Sequence, residues 1–549
     1  MQNAEFIIHH CCISPTPNNA SCLKLGIALL TGFPTPYTLQ RSMLSALIWL
    51  PVLGAAIIGF LPTAILPSRS RYISLAVAII TLVVTVVIGF QFNPSDIAFQ
   101  FTEEMPWIEA LGLTYRLGID GLSFPLLLLN SLLTCIAIYS TDENVPRSRF
   151  YYSLVLLLNA GVAGAFLSQD LLLFFLFYEI ELIPLYLLIA IWGGARRGYA
   201  ATKFLIYTAI SGILILAAFL SLVWLSGAST FAYEPLRATA HALPLTTQLV
   251  LLAAILIGFG IKIPLVPFHT WLPDAHVEAS TPVSVLLAGV LLKLGTYGLL
   301  RFGMDLLPLA WATLAPVLAG WAVVNVLYGS SCAIAQTDMK KMVAYSSIGH
   351  MGYILLAAAA ATPLSILATV LQMVSHGLIS ALLFLLVGVV YKKTGSRDLN
   401  VLQGLLNPER GLPVIGSLMI LGVMASAGTP GMVGFISEFL VFRGSFAVFP
   451  TQTLLCMLGT VLTAVYFLLL VNRTFFGRLS PQVMDLPKVY WSDRIPAIVL
   501  AALIVLLGIQ PSWMVRWTEL KSTAMASHAE AIALSSHLEA AVTNVSVKK

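Results

Sequence analysis

Apolar residues along this chain gather into runs of about the length that a helix needs to cross a hydrocarbon core of about 30 Å. From Met43 onward about fourteen such runs follow one another, at 43–61, 72–92, 121–140, 150–168, 170–192, 203–226, 248–267, 281–302, 306–328, 343–361, 364–391, 412–449, 452–471 and 495–514. The twelfth is long and interrupted, and only Gln169 and Asp170 separate the fourth from the fifth. This pattern predicts an all-α polytopic membrane protein with about 14 transmembrane helices.

The polar intervals fix its orientation. Those after odd-numbered runs carry sixteen Lys and Arg residues, from Arg69 and Arg71 to Lys488 and Arg494, and those after even-numbered runs carry four, namely Arg116, Arg237, Arg301 and Arg443. Positive charge stays in the cytoplasm, so the odd intervals face it, and Met43 and the C-terminal tail lie on the other side. The polar, Ala-rich tail after Trp517 reads as a surface helix or a disordered end. Residues 1–42, which hold His9, His10, Cys11 and Cys12, read as an extension or an over-called start, because adjacent ligands suit a tetrahedral metal site poorly.

Composition agrees: 58% of the 549 residues are hydrophobic and 10% charged, which excludes a soluble domain with an ordinary core. A net charge of +5 that sits mostly in loops argues against nucleic acid as a partner. The six cysteines show no C-x-x-C spacing, and no iron–sulfur, haem or flavin signature is present.

Charge inside the runs points to chemistry. In GFGIKIPLVPFHTWLPDAHVEASTPVSVLLAGVLLKLGTYGLLR (258–301), Lys262 ends an apolar run that Pro264 and Pro267 break, and Lys293 lies twelve residues into the next, about 18 Å deep. A lysine at such depth costs at least about 2.5 kcal/mol and persists only beside a partner, water or a bundle interior. A structural lysine held by carbonyls freed at the proline break is the plainer alternative for Lys262. Glu179 and Glu181 interrupt LLLFFLFYEIELIPLYLL; two residues apart on a helix they point to nearly opposite faces, so one of them is expected to face a water path. His350 follows Ser346 and Ser347, His376 follows Gln372, and Glu438 follows the Gly/Pro-broken SAGTPGMVGFISEFL. A core histidine bonded to neighbouring hydroxyls is the plainer alternative for each histidine.

Spacing ties these groups together. Glu179 to His350 is 171 residues, Lys203 to His376 is 173, and Lys262 to Glu438 is 176, with both members of the last pair at broken helices. Paired interrupted segments mark a transporter of two repeats, and an offset of five helices makes them inverted. The predicted organisation is an N-terminal extension (1–42), helices 1–3 (43–140), a first inverted repeat of five helices (141–302), a second (303–471), and helix 14 with its tail (472–549), with helices 7 and 12 broken.

The stretches GIDGLSFPLLLLN, YEIELIPLYLLIAIWGG, IKIPLVPFHTWLPDAHVEASTPVSVLLAGVLLKLGTYGLLRF, DMKKMVAYSSIGHMGY and GTPGMVGFISEF closely resemble, in that order, the antiporter-like subunits of respiratory complex I. The resemblance covers about Met43 to Trp517 and is nearest to the chain 4 type of the cyanobacterial and chloroplast branch. It implies that Glu179 pairs with Lys262, that Lys293 is the central lysine of the eighth helix, and that Glu438 ends the transfer path. It also implies that His350 and His376 lie on a hydrophilic axis and His269 near the cytoplasmic entrance; Glu181 has no counterpart in the bacterial pattern. Lys203, His269 and Glu181 remain secondary candidates.

The function so implied is proton translocation in a photosynthetic NDH-1 complex that passes electrons to plastoquinone from NAD(P)H or ferredoxin. The resemblance gives this chain no cofactor of its own; iron–sulfur clusters and plastoquinone belong to partner subunits. Its neighbours would be other antiporter-like membrane chains and, indirectly, the hydrophilic redox arm, in a cyanobacterial thylakoid membrane. A subunit of a multisubunit cation/proton antiporter is the alternative, and a non-conducting structural spacer is a third, against which the buried ionisable groups argue.

Overall fold

In a computed structural model residues 43–60, 67–409, 411–481 and 486–547 are described; the extension 1–42, with its His and Cys cluster, lies outside the described residues. The first half holds α1 (Met43–Phe60), α2 (Pro67–Gln91), α3 (Phe124–Ser140), α4 (Ser148–Leu167), α5 (Leu171–Ile180), α6 (Leu182–Trp192), α7 (Arg197–Leu225), α8 (Tyr233–Ala240), α9 (Leu245–Lys262), α10 (Trp271–Glu278) and α11 (Thr281–Met304). The second holds α12 (Pro308–Ile334), α13 (Met339–Ala360), α14 (Pro363–Thr394), α15 (Pro413–Ser426), α16 (Val433–Phe446), α17 (Pro450–Thr474), α18 (Trp491–Ile509) and α19 (Ser512–Val547).

Each of the fourteen apolar runs coincides with a helix or a helix pair. Twelve spans among the described residues are long and apolar enough to cross a membrane, with α5 and α6 forming one of them. The remaining two runs are the shorter α3 and the interrupted α15–α16. Both expected breaks are present, after Lys262 and between Ser426 and Val433.

One element departs from the all-α expectation. Residues 93–120 carry no spanning signal, yet β1 (Gln100–Ile108) and β2 (Leu113–Ile119) form an antiparallel hairpin there. Its Glu103 accepts hydrogen bonds from the Leu44 and Ser45 amides, at 2.7 and 3.1 Å, so the hairpin caps the first turn of α1, where amides have no helical partner. The tail is ordered as well: Trp517 of α19 packs edge-on against Phe124 at 4.9 Å.

Burial sorts the helices by depth. α11 is buried throughout, α13 over 94% and α14 and α4 over 89% of their apolar windows, whereas α2 is buried over 28% and turns its Ile and Val residues outward. The lysine and both histidines singled out above therefore ride on three of the four most buried spans. Charged groups gather in two separate clusters, Arg196, Glu278, Lys340 and Arg397 in one and Asp120, Arg301, Arg237, Asp305 and Lys521 in the other.

Candidate functional site

α11 is not a regular helix. Lys293 stands between two segments of wide, π-type turns, Leu287–Leu291 and Leu299–Met304. A π turn skips an ordinary i→i−4 partner and is common at functional positions. Here the carbonyl of Ala288 accepts from Lys293 Nζ, five residues on. The ammonium is wholly buried and has no carboxylate partner among the described residues; its second neighbour is His376 Nδ1, at 2.8 Å.

From there a line of titratable groups continues through the second half. The rings of His376 and His350 are 5.5 Å apart. His350 Nδ1 lies 2.8 Å from the Ser346 carbonyl, which can only accept, so Nδ1 carries the proton and Nε2 of the neutral ring offers its lone pair. That Nε2 lies 3.5 Å from Glu438 Oε1. Glu438 Oε2 in turn accepts from Thr460 Oγ1 at 3.1 Å, beside the Tyr353 hydroxyl. Lys293, His376, His350 and Glu438, expected to belong together, are thus brought together. Gln372 Oε1 and Ser375 Oγ, on the helix of His376, are buried polar atoms with no protein hydrogen-bond partner among the described residues.

The broken helix supplies a second cation beside this line. Lys262, the last residue of α9, is buried and forms an ion pair with Glu181, while its ammonium sits 4.6 Å from the centre of the Tyr178 ring. The expected direct pair with Glu179 is thereby corrected: the carboxylate that meets Lys262 is Glu181. The cause is local. Pro184 lacks the amide that would bond the Ile180 carbonyl, and the helix is interrupted at Glu181, between α5 and α6. Glu179 points away, as two-residue spacing requires, and rests on Gly212, where a Cβ would stand 2.2 Å from its carboxylate. Gly295 of α11 provides the other close approach, since a Cβ there would press on the Ile263 amide and Lys262 Cβ at 3.2 and 3.3 Å. The end of α9 therefore touches α11 within one turn of Lys293.

Two secondary candidates lie elsewhere. Lys203 pairs with Asp274 at 2.8 Å, both partly exposed, near the end where Glu278 and Lys340 lie, and so does not join the central line. His269 is buried against the rings of Tyr328 and Tyr345, at 5.0 and 6.4 Å, in the segment after the break.

A residue left out of the candidates also stands in this interior. His276 of α10 is completely buried, stacked on Phe384 at 4.3 Å, and neither ring nitrogen has a hydrogen-bond partner among the described residues. Near it Lys340 Nζ donates to the Ala279 carbonyl at 2.7 Å. In sequence PDAHVE reads as a polar loop, and only the apolar runs on both sides hinted that its histidine would be enclosed.

Among the described residues no group of three or more His, Cys, Asp or Glu side chains could hold a metal ion. What the arrangement can do is move a proton between a lysine and a carboxylate through two imidazoles.

Comparison with known proteins identifies the family. A family described as "NADH:quinone oxidoreductase/Mrp antiporter, TM" matches residues 168–463. The chain belongs to that family. Curated relatives include NAD(P)H-quinone oxidoreductase chain 4 of a Synechococcus strain, 42% identical over 86% of this chain and 90% of that protein. The counterpart from a Nostoc strain is 39% identical over 89% and 92%. Among solved structures, a chain of respiratory complex I from Thermus thermophilus with bound NADH superposes with a TM-score of 0.80 at 27% identity, over 88% of this chain and 99% of that one. A chain of the Mrp complex from a Dietzia species gives 0.79 at 20% identity, over 90% and 100%, which shows a shared fold alone. The matched region 168–463 of this family member holds every group of the line from Lys262 to Glu438.

Proposed function

We propose that the chain is a proton-translocating membrane subunit of a photosynthetic NDH-1 complex, in which electron transfer to plastoquinone elsewhere in the complex drives protons through this chain. The observation that carries the reading is the succession Lys293, His376, His350 and Glu438, with the two imidazole rings 5.5 Å apart and the Lys262–Glu181 pair beside it. The chain-4 relatives, all from cyanobacteria among those named above, support the thylakoid membrane as its place and neighbouring antiporter-like chains and a redox arm as its partners.

A proton enters from the cytoplasmic end and settles on Lys293. While Lys262 is bound to Glu181 its charge is neutralised, and Lys293 can be an ammonium. When the pair opens, a second cation faces Lys293 across the Gly295 contact, and like charge in a low dielectric expels the proton. The bond broken is N–H on Lys293 Nζ and the bond formed is N–H on His376 Nδ1. His376, now an imidazolium, loses its Nε2–H through water that Gln372 and Ser375 can bond, His350 gains that proton on Nε2, and the new Nε2–H bond breaks as the proton passes to Glu438 Oε1. Release from Glu438 is on the lumenal side. Work against a potential of about 150 mV is about 3.5 kcal/mol per proton, which a shift of about 2.5 pKa units in a buried lysine supplies. The two broken helices, α9 and α15–α16, would be corresponding parts of the inverted repeats 141–302 and 303–471, with Lys203 and His269 serving the cytoplasmic entrance.

Replacing Lys293 by Ala in the assembled complex tests this: proton uptake per electron should fall while quinone reduction persists. A wild-type ratio in that variant would remove the residue from the path. The cation/proton antiporter alternative rests on the Mrp fold likeness; it would be favoured if the Lys293 substitution lowered sodium flux and left proton uptake per electron unchanged.

A further inference from the structure

At the cytoplasmic end of α1 and α4 the wall of the bundle opens into a groove of about 860 Å³. Its lower part is apolar and floored by small side chains, Ala55, Ala56 and Gly59 of α1, with Leu157 of α4 opposite. Arg147 and Arg149 line its upper rim. A second groove of about 560 Å³ runs down the other side of the same corner, between Ala190, Ile191 and Trp192, and Arg147 lines that one too, with Arg197. Arg147 therefore stands on the crest between two apolar furrows that descend to membrane depth.

Three further observations concern charge and strain. The acids nearest in sequence are already engaged, Asp142 by Lys392 and Glu143 by Arg71, so they do not neutralise Arg147. Among the described residues Arg197 reaches only the Gly193 carbonyl, at 3.4 Å. Arg147 itself adopts a left-handed backbone, with φ of 53°. A non-glycine residue in that region is strained by about 1 kcal/mol or more, and such residues gather at ligand clamps. The corner is held rigid by the Trp192 indole, which donates to the Pro146 carbonyl at 2.7 Å.

We propose that this corner binds one two-chain anionic lipid, its phosphodiester on the crest at Arg147 and Arg197 and one acyl chain in each furrow. Basic pockets between transmembrane helices at the cytoplasmic surface recognise such headgroups, and the furrows supply what a free anion would not use. The site lies away from Lys293 and its neighbours and does not depend on the proton-transfer reading.

The test labels the intact complex, in native membranes, with a phosphatidylglycerol that carries a photoreactive group in one acyl chain. Expected are cross-links in peptides 144–157 and 190–197, reduced about thirtyfold by the combined Arg147→Gln and Arg197→Gln substitutions and restored by Arg147→Lys with Arg197 intact. Both residues are exposed, so assembly and quinone reduction should be normal and serve as the folding control. The proposal is overturned if a phosphatidylcholine probe labels the same peptides equally, if inorganic phosphate abolishes the label, or if the wild-type peptides stay unlabelled because an acidic segment of a neighbouring chain covers the corner.

Discussion

Lys293 and Arg301 stand about two turns apart on α11, both shut off from solvent, and they are held in opposite ways. Arg301 faces Asp120 through two bonds of 2.7 and 2.8 Å and is enclosed by the rings of Phe99, Tyr233 and Tyr297 at 5.1 to 5.3 Å. Asp120 is shared with Lys521 of the C-terminal helix, at 3.2 Å. Among the described residues Lys293 has only a carbonyl and an imidazole. A guanidinium whose Nη2 donates to both oxygens of a carboxylate stays charged at any working pH, whereas an ammonium without a counter-ion gains or loses its proton as its surroundings change. One helix thus carries a rivet at one end and, at its centre, the lysine proposed above as the proton carrier.

The largest effect should follow from removing the rivet. Arg301→Ala leaves Asp120 buried and deprived of its guanidinium partner, a loss of about 3–5 kcal/mol, so little complex should assemble. Yield of the intact complex from membranes measures this, and normal assembly would mean that the cluster holds nothing. Lys293→Ala should assemble and reduce quinone yet fail to acidify the lumen. Lys293→Arg should fail as well, since arginine keeps its proton; pumping by that variant would make the two cations equivalent and end the distinction drawn above.

A finer effect separates the two glutamates. Glu181→Gln strips Lys262 of its direct counter-charge and should lower pumping more than Glu179→Gln does. In the cycle that joins Glu181→Gln with Lys262→Met, the combined loss should be smaller than the sum by about 1–3 kcal/mol in free-energy terms. An additive result, or a larger defect from Glu179→Gln, would return the gate to Glu179.

How far such features can be read from sequence depends on how local their causes are. Run length alone located fourteen helical segments, because hydrocarbon thickness fixes it, and the prolines after Lys262 and Gly428 announced both breaks. The line from Lys293 to Glu438 was legible because charge in an apolar run is costly enough to need a reason. The choice between Glu179 and Glu181 was not, since it turns on one interruption of helical geometry near Pro184 that shifts which side chain reaches Lys262. His276 looks like a loop residue until α10 folds under Phe384. The hairpin has a largely exposed β1 and a β2 that also bridges Ser168, 51 positions from Leu117, and the Asp120–Arg301–Lys521 cluster joins residues as much as 401 positions apart with no local signature.

The smallest effect concerns the same cluster and acid. Burial alone would raise the Asp120 carboxyl, but Arg301 and Lys521 hold it well below the usual carboxylate range. Asp305, also buried, is lowered by His528, Arg237 and the Tyr233 hydroxyl. A carboxylate depressed in the folded state contributes fully above its unfolded value of about 3.9 and loses that contribution only as pH falls through the folded value. Lumenal acidification to about pH 5 should therefore leave α19 docked, and release should begin only at pH values near or below the ordinary carboxylate range. Lys521→Met removes one of the two cations on Asp120 while Arg301 stays, so the release point should move upward yet remain acidic. Hydrogen exchange of residues 512–530 across that range measures both. Undocking of the wild-type helix between about pH 7 and 5 would show that a group titrating near neutrality, and not the depressed carboxylates, holds the lumenal end.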